Sequence, residues 1–402
     1  ISLSYLSNLG LNNGSMYLSD SSSLGIGTNS TLGINGGSLI LSNAANITGS
    51  SSVLSLSQGF LQLSEQSLLA MSRSLVDIRA SIAMYDDSIL TVNDASTLSI
   101  GGGLEQHDRS SLTASTATVQ LQGSRMCDSE PYIQCVCSCP LATIAQSSIS
   151  CNSTTTMMAM GPPLMQDAQS ICSTQCTSQA CSSTNTTFAT CTANCTSFCT
   201  PICADGWQYN SGYVTLYDHA TASYTAGTMM TVSSGSLEQS DYTSLTISQD
   251  SSFSLQSGDI FLKDKSTLTV MSNSSFNILG GSITSTDNAN LTLEQVGSLM
   301  LNGGSVSLTE NAAIAMFGNS SITISDGSLQ LKGSSSLSAI ASSLHLKQGF
   351  VSLGGQSSFT MTQSCSLNID ASVDMHHTSQ MTISDSNFSI TGGLEQSDSS
   401  AL

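Results

Sequence analysis

Gly36-Gly37-Ser38-Leu39-Ile40-Leu41 decides the fold of this chain. Alternation at period two puts Leu39 and Leu41 on one side of a strand and Ser38, Ile40 and Ser42 on the other, so one face is dry and one wet. The glycine pair ahead of it supplies the positive backbone angles that a tight corner needs. The phrase then returns. Taking the first apolar residue after each such corner gives Met16, Leu39, Leu61, Ile82, Leu104 and Met126, at intervals of 23, 22, 21, 22 and 22. The series resumes at Val214 and continues through Leu237, Ile260, Ile283, Val306, Leu329, Val351, Val373 and Leu394, every 21 to 23 residues.

Within one interval the apolar pair recurs every seven or eight residues, as in Leu39/Leu41, Ile47 and Leu54/Leu56. Each repeat of about 22 residues therefore predicts three short strands separated by Gly, Asn, Asp and Ser corners. A single three-strand turn cannot bury its apolar face alone, so the turns must stack and share one core. The predicted fold is all-β, a parallel β-helix, and the repeat length points to the right-handed form.

Composition narrows the role. Of 402 residues only 9% are charged, and 27 acids against 8 bases give a net charge of −19. Phosphate contact demands Lys and Arg, so nucleic acid is excluded as a partner. The same balance disfavours an anionic membrane surface. No run of 18 apolar residues occurs and Ile1 opens without a basic or apolar leader, so neither a membrane span nor a signal peptide is read from the sequence.

A longer regularity appears at an offset of 290. Gly37-Ser38-Leu39 matches Gly327-Ser328-Leu329, Gln58-Gly59-Phe60 matches Gln348-Gly349-Phe350, and Leu104-Glu105-Gln106 matches Leu394-Glu395-Gln396. Residues 291–402 thus repeat residues 1–112, with a one-residue slip near Cys365. Dividing a unit of 290 residues by the period, with allowance for an interruption, predicts about ten turns. Both ends fall inside the coil without a capping segment, which leads to the expectation of a longer native polypeptide or of ends covered by other copies.

The coil is expected over 1–126 and 206–402, with a Cys-rich insertion over 127–205. Twelve of the 13 cysteines lie in the insertion: Cys127, Cys135, Cys137, Cys139, Cys151, Cys172, Cys176, Cys181, Cys191, Cys195, Cys199 and Cys203. The first five are irregularly spaced and read as a looped, disulfide-tied segment. The later ones include Cys-x3-Cys pairs, which share one helical face. Pro162-Pro163 suits a helix start and Pro201 a helix end, so two helices are predicted, Leu164–Ala180 and Thr186–Thr200, forming a cross-linked hairpin. Zinc is the competing reading. The usual Cys-x2-Cys spacing is missing, no histidine lies in the cluster and the thiols are even in number, which favours disulfides and an oxidising compartment. Cys365 stands alone and reads as a small buried hydrophobe rather than an intermolecular bridge.

Ten Asn-x-Ser/Thr sequons occur, at Asn13, Asn29, Asn46, Asn152, Asn185, Asn194, Asn273, Asn290, Asn319 and Asn387. The seven in the coil stand one or three residues before an inward apolar residue, at or beside corners, where a glycan could project without blocking the stack.

No catalytic constellation emerges. Arg73, Arg79, Arg109, Arg125, Lys263, Lys265, Lys332 and Lys347 are scattered. Asp86-Asp87 and Asp108 fall at corners, where turn geometry explains them. His376-His377 has only Asp370 and Asp374 nearby and no cysteine, which makes a poor metal site. Gln106, Gln239 and Gln396, each in a Leu-Glu-Gln phrase, fall at inward positions where a hydrogen-bonded glutamine ladder is expected. No cofactor-binding fingerprint is present.

These repeats resemble parallel β-helix surface proteins with Gly-Gly-x-Leu/Ile-type repeats, such as bacterial secreted adhesins, while the sequons and cysteines suit a eukaryotic extracellular fibre or flagellar-hair protein. That resemblance covers residues 1–126 and 206–402. It implies the fold; the large repeat, the uncapped ends and the low charge lead to the expectation of a non-enzymatic structural subunit of an extracellular glycosylated filament, assembled by end-to-end stacking with other copies or as tandem units of one chain. A cell-surface adhesin or carbohydrate-binding module, and more remotely a polysaccharide-active enzyme, are the alternatives.

Overall fold

A computed structural model describes residues 2–122, 125–126, 132–138, 151–153, 196–202, 208–209 and 212–402. The coil is an all-β parallel β-helix in which three sheets of 14 strands each run side by side. One rung supplies one strand to each sheet, for example Ser23–Ile26 to the first, Thr31–Asn35 to the second and Leu39–Leu41 to the third. Leu39 pairs in parallel with Met16 below and Leu61 above, so the sequence markers stack residue on residue.

The inward side chains form one continuous core. Leu32, Ile34, Leu39, Leu41, Leu54 and Leu56 are fully buried, each contributing about 1.5–3 kcal/mol by removal from water. At two places a bulky residue faces a small one on the neighbouring rung. Gly49 lies in register with Met71, whose sulfur would stand 2.7 Å from any Cβ at 49, and Ala114 lies in register with Tyr224. Beyond Tyr224 the core continues through Phe253 and Phe276, with ring centroids 6.4 and 4.7 Å apart in succession.

Each corner has its own column. Between the first and second sheets runs a column of buried hydroxyls. The Ser52 N–H donates to Ser74 Oγ at 3.1 Å, Ser74 N–H to Ser96 Oγ at 3.0 Å, and Thr228 N–H to Ser251 Oγ at 3.1 Å. This corner varies in length and, with the corner between the second and third sheets, sets the period. With one left-handed residue, as at Arg73 or Ala341, it is one residue shorter than with two, as at Gln249/Asp250 or Gln363/Ser364. The slip in the 290-residue repeat is located here, because Gln363 and Ser364 stand where the first copy has Arg73 alone.

Between the third and first sheets runs a column of left-handed acids. Glu65, Asp86, Asp108, Asp218, Asp241 and Asp264 each donate a backbone N–H to the carboxylate of the next rung, at 3.1 to 3.4 Å. Between the second and third sheets glycine dominates. At Gly235, Gly258, Gly281 and Gly304, φ lies between +87° and +130°, and a Cβ would meet the carbonyl oxygen of the preceding glycine at 1.4 to 1.8 Å. No other residue fits that stack.

Leu104 pairs directly with Val214, and Gln106 with Leu216, so one rung spans the insertion. Met126 is not a coil position. The strand Arg125–Met126 pairs antiparallel with Gln208–Tyr209, and Val214–Leu216 takes the place that Met126 was expected to fill. Because the insertion adds residues without adding a rung, a 290-residue unit holds nine rungs rather than ten: Leu3 and Leu293 occupy the first and tenth strands of the first sheet.

Within the insertion, Tyr132–Ser138 is the middle strand of an antiparallel sheet, between Cys151–Ser153 and Thr196–Ile202. The end of the predicted second helix, Thr196–Thr200, is thus strand. Thr196, Phe198, Thr200 and Ile202 are strand formers at period two, and a seven-residue pairing overrides the helical cysteine spacing. The rest of that helix, and all of Leu164–Ala180, lies outside the described residues.

Candidate functional site: the outer surface of the coil

The coil sequons fall on the surface. Asn13, Asn29, Asn273 and Asn319 are exposed corner residues with φ near +60°. Asn46 and Asn290 open strands of the first sheet, and Asn387 opens one of the second. The first two stand immediately before the buried Ile47 and Leu291. Asn152, Cys135, Cys137, Cys151 and Cys199 lie on described strands of the insertion. Asn185, Asn194, Cys127, Cys139, Cys172, Cys176, Cys181, Cys191, Cys195 and Cys203 lie outside the described residues.

The densest group of polar and aromatic side chains follows the third sheet over the rungs nearest the insertion. Tyr85, His107 and Tyr217 occupy equivalent positions on successive rungs, and their rings stack at 5.1 and 5.0 Å. Tyr213 donates its hydroxyl to Glu105 at 2.6 Å, and Glu105 stands 4.0 Å from His107. The bond to Glu105, aided by burial, pushes the Tyr213 hydroxyl up to about 12. Burial and the nearby Glu238 and Glu105 also raise Tyr217. Lys263 pairs with Glu238 at 2.6 Å. At the corner beside them His219 stacks on Tyr242, and Lys265 covers the other side of that ring, 4.8 Å from its centre. The rings lie face to face along the column, so they offer edges and hydroxyls to solvent rather than open aromatic faces. The sequence reading missed this group. Its signal was the residue three places after the markers Ile82, Leu104 and Val214, which becomes a column once the insertion is skipped.

Other sequence candidates are accounted for by local bonds. Arg109 pairs with Asp87 at 2.7 Å and Arg79 with Asp77 at 3.1 Å. Asp86 and Asp108 belong to the acidic corner column. His376 binds Asp374 at 2.8 Å and Ser397 at 2.9 Å, while the His377 ring is turned 77° from it. Among the described residues no three His, Cys, Asp or Glu side chains group as metal ligands. The glutamine ladder does not form. Gln106 and Gln239 are buried, but Leu216 stands between them, and each amide donates to a backbone carbonyl instead, of Thr221 and of Thr267.

Between the second and third sheets, Gly304, Asp326, Gly327, Gln348, Gly349 and Phe350 line an open groove of about 480 Å³, left by the glycine column. Ser305 and Ser328 complete its lining, and Asp326 is its one carboxylate. No protein-family model, curated protein or solved structure matches this chain.

Proposed function

We propose that the chain is a structural unit of an extracellular, glycosylated filament in which β-solenoid units continue one another's sheets. One observation carries this reading. The 290-residue repeat returns to the same sheet and the same inward positions, Leu39 with Leu329 and Leu41 with Leu331 on the third sheet, after a whole number of rungs. Such a unit can be followed by another without a change of phase, as tandem units of one chain or as copies joined head to tail, a contact that propagates instead of closing. Low charge along the sheet faces lets long stacks form, and the net charge of −19 keeps them apart in solution.

The reading is tested by imaging assembled material. Nine rungs at ~4.8 Å give an axial repeat of ~43 Å. Rods with that period or a small multiple support it, and isolated particles or an unrelated period overturn it. The double substitution Leu3→Asp and Leu394→Asp separates the two modes of joining: it shortens rods built from stacked copies and leaves rods made of tandem units unchanged.

A further inference from the structure

Asn319 has exposed apolar side chains both before it in the chain and below it in the stack. The strand Ala313–Met316 ends and the chain turns through Phe317-Gly318-Asn319, with Gly318 and Asn319 at φ of 63° and 62°. Phe317 is 37% exposed. On the preceding rung the residue aligned with Asn319 is Val296, two before the Ser298 that pairs with Ser321. Val296 holds φ at 67°, a conformation β-branched residues avoid, and is 51% exposed. The corresponding corner residues are Asp250 and Asn273 on the two rungs before Val296 and Ala341 on the rung after Asn319. Two exposed apolar side chains therefore flank Asn319, Phe317 before it in the chain and Val296 on the rung below. Together they offer a glycan on Asn319 an apolar surface.

We propose that Asn319 is a principal N-glycan acceptor of the coil, and that Phe317 and Val296 form the apolar ledge on which its first pyranose rests. This rests on the reading of the chain as a secreted glycoprotein. A pyranose presents C–H groups on one face, and the electron-rich face of an aromatic ring attracts them. The acceptor and the ring stand two residues apart across a left-handed pair, and the Asn319 backbone N–H is already bonded to Ala341 at 2.7 Å, so the sugar replaces no backbone hydrogen bond. Asn273 differs, because its side-chain amide donates to Asp250 at 2.7 Å. Asn29, the counterpart of Asn319 in the first copy, has Gly27 where Asn319 has Phe317. The transfer joins Asn319 Nδ2 to the anomeric carbon of an oligosaccharide carried on a lipid diphosphate. The bond from that carbon to the diphosphate breaks, the lipid diphosphate leaves, and one Nδ2 proton is lost.

The test uses the full chain secreted from a eukaryotic host. Enzymatic removal of N-glycans in heavy-oxygen water converts each occupied Asn to labelled Asp, which mass spectrometry reads site by site. The expected result is high occupancy at Asn319, a melting temperature that falls when the glycan is removed, and loss of that fall in Phe317→Ala but not in Phe317→Tyr. Asn319→Gln should melt like the deglycosylated protein. Occupancy at other sequons with Asn319 bare overturns the assignment. A fall of equal size in Phe317→Ala overturns the ledge. If no sequon carries sugar, the glycoprotein reading itself fails.

Discussion

Cys365 occupies the place that Ser74 holds in the first copy: its Sγ accepts the Ser342 N–H at 3.5 Å, as Ser74 Oγ accepts the Ser52 N–H at 3.1 Å. Its own N–H continues the column to Ser386 Oγ at 3.1 Å, and its thiol donates to the Thr362 carbonyl. The lone coil cysteine is thus a hydroxyl substitute at a corner. Cys365→Ser should be neutral or slightly stabilising. Cys365→Ala should cost about 1–3 kcal/mol, because it leaves the buried Ser342 N–H without an acceptor. Denaturant unfolding measures both, and equal stability of the Ala and Ser variants would show that the column contributes nothing.

The glycine column should be intolerant at one set of positions and tolerant at another. A Cβ at Gly258 would lie 1.6 Å from the Gly235 carbonyl oxygen, so Gly258→Ala must push two rungs apart and should cost about 3 kcal/mol. Gly227 also has positive φ, but a Cβ there meets nothing within 4 Å, so Gly227→Ala should cost about 1 kcal/mol. Similar losses in the two variants would mean that backbone conformation matters and rung contact does not.

Alkaline pH should weaken the coil. Tyr213 is raised from 10.0 to about 12, first by its bond to Glu105, and Tyr224 is raised by complete burial. A folded form that holds its proton more tightly than the unfolded chain is stabilised below the unfolded value. That stabilisation is lost as pH climbs from 10 toward 12. Melting temperature should therefore fall through this window, and Tyr213→Phe should fall less steeply there than wild type. A Tyr213→Phe profile parallel to wild type would refute a contribution from the Glu105 bond.

Mild reduction should spare the coil. Its described residues contain one cysteine, Cys365, and it is free and buried. Strand content measured by circular dichroism should stay nearly constant under reducing agent, and Cys365 should resist thiol labelling until denaturant is added. Loss of most strand signal on reduction would show that the coil depends on the insertion's cysteines.

Most of the coil was legible because its information is local and repeated. Period-two alternation at Leu39/Leu41 and the spacing of markers define strands, inward faces and stacking with no long-range knowledge. Met126 deceived because Gly123-Ser124-Arg125-Met126 copies the corner phrase, while the choice between it and Val214 is made by pairing with Leu104, 110 residues away from Val214. The same long-range step hid the Tyr85, His107 and Tyr217 stack. Gln106 and Gln239 were correctly placed inward, but the intervening Leu216 could be seen only once the register across the insertion was known. In the insertion, cysteine spacing suggested helix at Cys195 and Cys199, whereas partner strands decide the conformation of Thr196–Ile202.

That a single rung runs from Leu121 to Val214 separates what the molecule carries from how far it reaches. A 92-residue excursion leaves and rejoins at one corner, and the Ala117 N–H still finds Thr228 Oγ1 at 3.3 Å as if nothing intervened. Length along the axis is counted in rungs, while cargo at that corner is counted in residues, and the two tallies are independent. Such a scaffold can change its passenger, in size or in chemistry, without recalibrating its ruler.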